Sequence, residues 1–287
     1  MGVIVGVHGV GQQQLGRQQL LQAWRPALGD GLERACGQPV PEVPLDLAFY
    51  GDAFLSAPGT SIPGKSTAMG AAWWERLDEE DYVELERAAR EVLPERSIEE
   101  EQTASDKART RVPGFLRAVD RHFPAGGILA FGDLIQVRRY LVNPVVKSRV
   151  DAAVDAAVTR QCQVLIGHSL GSVVAFEYLR RHPDARLELL VTLGSPLGLR
   201  LVRERMPHPA YGTGFGVPPA VRAWVNVYDT RDPVACAGPL ARWWAGVRDC
   251  PPVDNGRDAH AVTAYLGKQA TGHAVLGALP DLAAKPR

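Results

Sequence analysis

Six short segments along the chain are predicted to form strands, and those at residues 3–7, 163–166 and 187–193 have the apolar composition of a strand buried in a sheet. The first run, Val3-Ile4-Val5-Gly6-Val7, begins almost at the first residue. Each run is followed by a turn rich in glycine, aspartate or serine, and several intervening segments carry apolar residues at helical spacing. Strands that alternate with helices are typical of an α/β domain. The predicted strands are residues 3–7, 42–50, 163–166, 187–193, 221–228 and 247–253.

The segment between the first two strands is predicted to form a helix. Residues 13–27 are mostly polar, with apolar side chains such as Leu20 and Trp24 at helical spacing. Pro26 and the following Gly29-Asp30-Gly31 are residues that disfavour helix interiors. We therefore expect the helix to end near residue 27.

Residues 53–160 interrupt the simple alternation of strands and helices. A loop rich in glycine, proline and serine is predicted for residues 56–69. Residues 96–111 are so highly charged that a mobile segment is favoured there. Helical patterns occupy the rest of this region, at residues 81–93, 112–123, 129–141 and 143–159.

The composition is that of a soluble globular protein. Of the 287 residues, 46% are hydrophobic and 22% are charged, and the formal net charge is zero. This balance gives no indication of nucleic-acid binding or of attraction to an anionic membrane. No apolar stretch reaches the ~18 residues that a membrane-spanning helix requires, and no secretion signal is recognisable, so we expect a cytoplasmic protein.

The four cysteines form no metal-binding pattern. They are widely spaced, without a Cys-x-x-Cys pair or a cluster of histidine and cysteine, and we expect neither a metal nor an organic cofactor. The sequence does not decide whether Cys236 and Cys250 form a disulfide bond.

The third predicted strand runs directly into Gly167-His168-Ser169-Leu170-Gly171, and a helical pattern follows. A strand, Gly-x-Ser-x-Gly and a helix make up the nucleophile elbow, a sharp turn that exposes the serine hydroxyl. Both glycines are required because a Cβ at either position would collide where strand and helix come close. The turn makes Ser169 the candidate nucleophile, and the N–H of Leu170 a candidate donor to an oxyanion.

A second glycine turn, His8-Gly9-Val10-Gly11, follows the first strand. Together with the elbow, this turn resembles the lipase-like and esterase-like members of the α/β-hydrolase superfamily. The resemblance implies a mostly parallel sheet flanked by helices. It also implies a second oxyanion donor, the backbone N–H of Val10 or of its neighbour Gly9.

A triad also requires a carboxylate at the end of a strand. Asp229-Thr230-Arg231-Asp232-Pro233-Val234 follows the fifth predicted strand, and its Asp-Pro-Val resembles the acid turn of the family. We expect Asp232 to be the acid, with Asp229 as the alternative because it lies nearest the strand end.

The expected base is His260, which lies after the last predicted strand and at the start of a helical pattern. In the resembled family the catalytic histidine is often followed by Tyr-Leu, as by Tyr265-Leu266 here. His273 is the rival candidate, but it is predicted to lie in the middle of a helix. The order Ser169, Asp232, His260 is that of the superfamily, and it differs from the order in chymotrypsin-like and subtilisin-like peptidases.

The resemblance implies a single α/β-hydrolase domain over residues 1–287, with residues 53–160 as a largely helical cap. The expected function is hydrolysis of a small-molecule carboxylic ester through an acyl-enzyme on Ser169. A thioesterase, amidase or acyltransferase with the same triad is an alternative, as is a binding module that keeps the fold without catalysis. The chain departs from the family pattern in lacking its first two strands, which implies a sheet shortened at the N-terminus. Residues 53–160 also contain no motif of the family, so the substrate is left open.

Overall fold

Six parallel strands form one sheet in the part of the chain that the structure describes. This structure, a computed structural model, describes residues 3–12, 15–54, 73–108, 112–124, 126–206 and 216–283. The strand order is β2-β1-β3-β4-β5-β6, and every neighbouring pair is parallel. The strands are β1 (Ile4–Val7), β2 (Leu45–Ala48), β3 (Val164–His168), β4 (Leu187–Leu193), β5 (Val221–Val227) and β6 (Val247–Asp249).

Helices cover both faces of this sheet, which confirms the predicted α/β class. Between β1 and β2 lies α1 (Arg17–Cys36), and the segment from β2 to β3 contains α2 (Glu79–Val92), α3 (Glu95–Ala108), α4 (Gly114–His122), α5 (Gly127–Val142) and α6 (Pro144–Ala157). The remaining helices are α7 (Leu170–Arg181), α8 (Arg200–Arg203), α9 (Val262–Leu266) and α10 (Gln269–Ala278).

The alternation of side chains along each strand divides the core into two layers. Ile4 packs in a cluster with α1, α9 and α10, whereas the next residue, Val5, packs in a cluster with α2 to α7. Val164 and Leu165 on β3 divide in the same way. Since successive side chains of a strand point to opposite faces, this central part of the sheet is buried on both sides.

Helix α1 is longer than the sequence predicts. It continues through Pro26 and Gly29 to Cys36 and ends at Gly37, whose φ of 71° is left-handed. The reason is packing, because α1 lies so close to the C-terminal helices that a Cβ on Gly31 would be 2.2 Å from the carbonyl oxygen of Leu266. Gly31 therefore allows a close contact rather than ending the helix.

The described parts of the segment between β2 and β3 consist of helices and the short turns that join them. Most of the region of residues 96–111, expected to be mobile, lies in α3 (Glu95–Ala108), with Ile98 buried, while residues 109–111 lie outside the described residues. In this helix Glu101 is also buried, and its carboxylate pairs with Arg117 at 2.9 Å and with Arg121 at 2.5 Å. The charges of α3 thus pair partly with α4. The predicted loop at residues 56–69 lies outside the described residues.

Ion pairs join the helices of this segment to the C-terminal half of the chain. Glu91 of α2 accepts from the backbone N–H of Arg200 at 2.8 Å and from the guanidinium of Arg203 at 3.1 Å. The guanidinium of Arg205 pairs with Glu84 at 3.0 Å. Helix α2 is thus held against α8 by partly exposed ion pairs.

In the described residues, no helix is long and apolar enough to cross a membrane. Cys236 and Cys250 are both free thiols.

Replacement of Gly31 by alanine should lower the free energy of unfolding by about 2–3 kcal/mol, because the new Cβ would overlap a backbone oxygen that cannot move alone. Gly29 on the same helix is the matched control. A Cβ there would be 3.6 Å from Val43, an ordinary contact, so Gly29→Ala should be neutral or raise stability by about 0.5–1 kcal/mol. Urea unfolding of both variants tests this, and equal effects would contradict the packing argument.

Candidate active site

The sequence motifs converge at the carboxyl edge of the sheet. The turn after β1 and the turn after β3 are neighbours there, because β1 pairs with both β2 and β3. The chain leaves β1 towards β2 on one side and leaves β3 towards β4 on the other, which makes the gap between β1 and β3 a topological switch point. Ligands of open α/β sheets bind in the crevice at such points.

Ser169 lies in this crevice in a strained backbone conformation. Its φ of 54° and ψ of −128° make it the one non-glycine residue with positive φ among those described. Such a conformation costs about 1–3 kcal/mol and persists only where the surroundings enforce it.

The two flanking glycines allow the close packing that this turn requires. A Cβ on Gly171 would lie 2.0 Å from the carbonyl oxygen of Val7, and one on Gly167 would lie 2.5 Å from the Cα of Ser172. Both positions therefore exclude any side chain, as the motif predicts. Leu170 follows Ser169 as the first residue of α7 and is fully buried.

Hydrogen bonds fix Ser169 from both sides. Its N–H donates to the carbonyl of Leu193 on β4 at 3.0 Å, and its own carbonyl accepts from the Ser172 hydroxyl at 2.6 Å. The Ser195 hydroxyl lies 2.7 Å from that of Ser172 and accepts from the N–H of Leu197. Ser195 therefore supports the turn that follows β4.

His260 and Asp232 form a buried pair. The Nδ1 of His260 lies 2.8 Å from Oδ2 of Asp232, and both side chains are at least 96% buried (4% and 0% exposed). The other oxygen of Asp232 accepts from the N–H of Val234 at 2.8 Å. Because the carboxylate accepts at Nδ1, the proton of a neutral His260 lies on Nδ1 and leaves Nε2 as an acceptor.

The alternative acid and base lie elsewhere. The carboxylate of Asp229 accepts from the guanidinium of Arg231 at 3.1 Å and from the N–H of Asn255 at 2.7 Å. His273 is exposed on α10 and contacts the carbonyl of Ala35 at 3.2 Å. Of the two candidates for each position, the structure brings together Asp232 and His260.

Tyr265 also belongs to this cluster, although the sequence predicted no contact between it and Asp232. Its hydroxyl donates to Oδ2 of Asp232 at 2.7 Å and accepts from the N–H of Asp229 at 2.9 Å. Burial, and then the nearby Asp232 carboxylate, raise the pKa of Tyr265, so the hydroxyl keeps its proton. The only sequence signal was its position in the Tyr-Leu that follows His260.

His168, inside the glycine motif, orients His260. Its Nε2 donates to the carbonyl oxygen of His260 at 2.9 Å, and the centroids of the two rings are 4.6 Å apart. This contact fixes the backbone of the residue whose side chain is already held by Asp232.

The turn after β1 is fixed by His8. The N–H of Tyr50 donates to Nε2 of His8 at 3.1 Å, so the proton of the neutral ring lies on Nδ1, which donates to the carbonyl of Gly9 at 2.7 Å. Burial lowers the pKa of His8 to about 4, and the ring is therefore neutral at pH 7. Gln12 donates from its side-chain amide to the carbonyl of Val10 at 3.0 Å.

Ser169 and His260 line one cavity of about 240 Å³, together with Gly9 and Val10. The hydroxyl oxygen of Ser169 and Nε2 of His260 are both buried, and neither has a hydrogen-bond partner among the described residues. The polar side chains of the wall are His8, Gln12, Asp133, His168, Ser169 and His260.

A larger groove of about 780 Å³ lies between α2 and α8, at the ion pairs described above. It is lined by arginine and glutamate side chains and contains neither a serine nor a histidine. The candidate serine and histidine therefore both lie at the smaller cavity. Within the described ranges, no group of three or more histidine, cysteine, aspartate or glutamate residues is placed to hold a metal ion.

The buried His8 should make the protein less stable in acid. In the unfolded chain the histidine binds its proton near pH 6.5, and in the folded chain only near pH 4. Between these values the unfolded state binds more protons. The free energy of unfolding therefore decreases as the pH is lowered from 6.5 towards 4, by up to about 3 kcal/mol from this residue.

His8→Gln should flatten this dependence, whereas replacement of the exposed His273 by glutamine should leave it as in the wild type. The free energy of unfolding, measured in urea from pH 7 to pH 4, gives the slope for each protein. Parallel curves for the wild type and His8→Gln would show that His8 is not the group responsible.

Comparisons with known proteins identify no relative. No protein-family model, no curated protein and no solved structure matches this chain.

Proposed function

We propose that this protein is a serine hydrolase of the α/β-hydrolase type, which cleaves carboxylic esters through an acyl-enzyme on Ser169. One observation carries the proposal: a strained serine and the histidine of a buried histidine–aspartate pair line the same cavity at the switch point of a parallel sheet. A serine that only began a helix would need neither the strain nor the pair.

In the proposed reaction, the hydroxyl oxygen of Ser169 attacks the ester carbonyl while Nε2 of His260 accepts its proton. Asp232 holds the proton of His260 on Nδ1 and stabilises the imidazolium that forms. His260 then donates its proton to the leaving alcohol. Water attacks the acyl-enzyme in the second half, with His260 again as the base.

Two backbone N–H groups are the proposed oxyanion donors. That of Leu170 lies at the N-terminus of α7, a helix of 12 residues whose dipole favours negative charge at this end. The N–H of Val10 belongs to the same peptide group as the carbonyl of Gly9, and that carbonyl accepts a hydrogen bond from Nδ1 of His8. In a trans peptide N–H and C=O point in opposite directions, so His8 directs the N–H of Val10 away from its own ring.

The extent of the cavity favours small substrates. Pockets for small molecules usually measure roughly 300–1,000 Å³, and the described cavity, at about 240 Å³, lies just below this range. We therefore propose esters with short acyl chains. The triad determines acyl transfer but not the leaving group, so thioesters and amides are the comparison substrates.

The segment between β2 and β3 is proposed to cap the site. Asp133 of α5 lines the same cavity as Ser169, and α5 also packs against α7. The helices of this segment would then supply part of the substrate-binding wall.

Incubation with a fluorophosphonate probe should label the wild-type protein on Ser169, because His260 and the oxyanion donors activate that hydroxyl. Mass mapping of the labelled peptide locates the adduct. Ser169→Ala and the heat-denatured wild type are the controls and should stay unlabelled. An adduct on another serine, or none at all on the folded protein, would contradict the proposed nucleophile.

The two histidine candidates should differ sharply in turnover of p-nitrophenyl acetate. We expect His260→Ala to lower kcat by about 10⁴-fold or more, as is usual when a triad base is removed, and His273→Ala to leave it within about twofold of the wild type. Thermal unfolding of both variants controls for loss of structure. A large loss in His273→Ala with little loss in His260→Ala would reverse the assignment of the base.

A further inference from the structure

The Asp232 carboxylate accepts hydrogen bonds on both of its oxygens. Oδ1 accepts from the backbone N–H groups of Val234 at 2.8 Å and Ala235 at 3.4 Å. Oδ2 accepts from two side chains, the hydroxyl of Tyr265 at 2.7 Å and Nδ1 of His260 at 2.8 Å. His260 therefore shares its acceptor oxygen with Tyr265.

The hydroxyl proton of Tyr265 points at this shared oxygen. The backbone N–H of Asp229 donates to the same hydroxyl at 2.9 Å and so occupies a lone pair of its oxygen. Burial, and then the Asp232 carboxylate, raise the pKa of Tyr265, which keeps the hydroxyl protonated. Because the side chain is fully buried, bulk water does not compete for either hydrogen bond.

Gly194, the residue after β4, makes room for the shared oxygen. Its φ is 54°, and a Cβ on it would lie 2.6 Å from Oδ2 of Asp232 and 2.9 Å from the ring of Tyr265. The same Cβ would lie 3.2 Å from Nδ1 of His260. The absence of a side chain at this position lets the three groups meet.

A second donor on Oδ2 changes what the carboxylate can do for the histidine. When His260 is protonated, its positive charge is stabilised by the negative charge of Oδ2. The positive end of the Tyr265 hydroxyl is bonded to the same oxygen and offsets part of that negative charge. The effect is enhanced by burial, since a low local dielectric strengthens electrostatic interactions.

We propose that Tyr265 is a positioning residue, which acts through Asp232 and limits how strongly the carboxylate stabilises the protonated ring of His260. This inference rests on the proposed acyl-transfer function, in which the histidine must accept the serine proton and then release it to the leaving alcohol. A ring that binds its proton more tightly is lost as a base at a higher pH. Tyr265 is not among the described residues that line the cavity, so it acts on the histidine and not on the substrate.

The other ionisable groups around His260 stay the same in the proteins to be compared. His168 packs on its ring from β3, with 4.6 Å between the ring centroids, and two further groups line the same cavity. In the described part of the chain, the groups near His260 or its carboxylate include His8, Asp133, His168, Asp229, Cys236 and Asp258. A change that follows substitution of residue 265 alone therefore reports the role of that residue.

The pH dependence of kcat/KM for p-nitrophenyl acetate tests the inference. In Tyr265→Phe, Oδ2 loses one donor, and we expect the acid limb of the profile to move to higher pH by about 0.5–1 pH unit. KM on the plateau should stay within about twofold of the wild type. An acid limb that does not move, or that moves to lower pH, would overturn the inference.

Tyr228→Phe is the matched control, because it removes the hydroxyl of another buried tyrosine, next to the carboxyl end of β5. Its profile should coincide with that of the wild type. An equal movement of the acid limb in Tyr228→Phe and Tyr265→Phe would show a general effect of buried hydroxyls and would overturn the role of Tyr265.

A second substitution should shift the profile in the opposite direction. In Tyr265→3-fluorotyrosine, made at that position alone, both hydrogen bonds are kept and the phenol becomes a stronger donor. The acid limb should then move to lower pH, and a movement to higher pH, or none, would overturn the inference. Thermal unfolding monitors the structure of each variant, and this substitution decides the question if Tyr265→Phe does not fold.

An NMR titration separates this inference from the proposed function. In Ser169→Ala, the ring resonances of His260, identified by their loss in His260→Gln, give the pH at which the ring binds its proton. Addition of Tyr265→Phe should raise that pH by about 0.5–1 pH unit, which supports the inference even if the wild type hydrolyses no ester, a result that would overturn only the proposed hydrolysis. No difference between the two proteins would overturn the role of Tyr265 whether or not the protein is a hydrolase.

Discussion

The first turn of α7 meets the end of β1 backbone to backbone, and the arrangement of the candidate site depends on this contact. Gly171 lies so close to β1 that a Cβ would be 2.0 Å from the carbonyl oxygen of Val7 and 2.5 Å from that of His8. Strand β3 must therefore turn into α7 within one residue, and Ser169 takes the positive-φ conformation that this turn requires. The same contact brings the turn after β1 beside the serine, where a Cβ on Gly9 would be 2.9 Å from that of Ser169.

The strain at Ser169 is balanced by interactions of its neighbours. A conformation that costs about 1–3 kcal/mol is maintained here by a hydrogen bond from the serine N–H to β4 and another from Ser172 to the serine carbonyl. Each such bond contributes about 1 kcal/mol, and the central strands are buried on both faces. The serine is thus held by backbone that has little freedom to relax, which is the condition for a preorganised site.

The parts of the fold that the sequence predicts are those specified by local patterns. Strand β4 has the predicted bounds, Leu187–Leu193, because a strand buried on both faces is a continuous apolar run. The end of α1 was predicted wrongly, since Gly31 has a low intrinsic helix propensity and its packing role depends on Leu266, far away along the chain. The high charge of residues 96–111 likewise led to the prediction of a mobile segment where α3 forms. The pairing of Glu101 with Arg117 and Arg121 was missed because these partners lie on another helix, 16 or more residues further along the chain.

The candidate site also has one part that local sequence predicts and another that depends on contacts between distant residues. The elbow is local, so the glycines around Ser169 predict its conformation from a few residues. The orientation of His260 is not local: Asp232 holds Nδ1, and His168, 92 residues earlier in the chain, holds the carbonyl. Tyr265 joins the same carboxylate from the following helix. Because these contacts come from three separate segments, the ring can keep its position only when β3, β5 and α9 are all in place, and a correctly placed Nε2 therefore depends on the complete sheet edge.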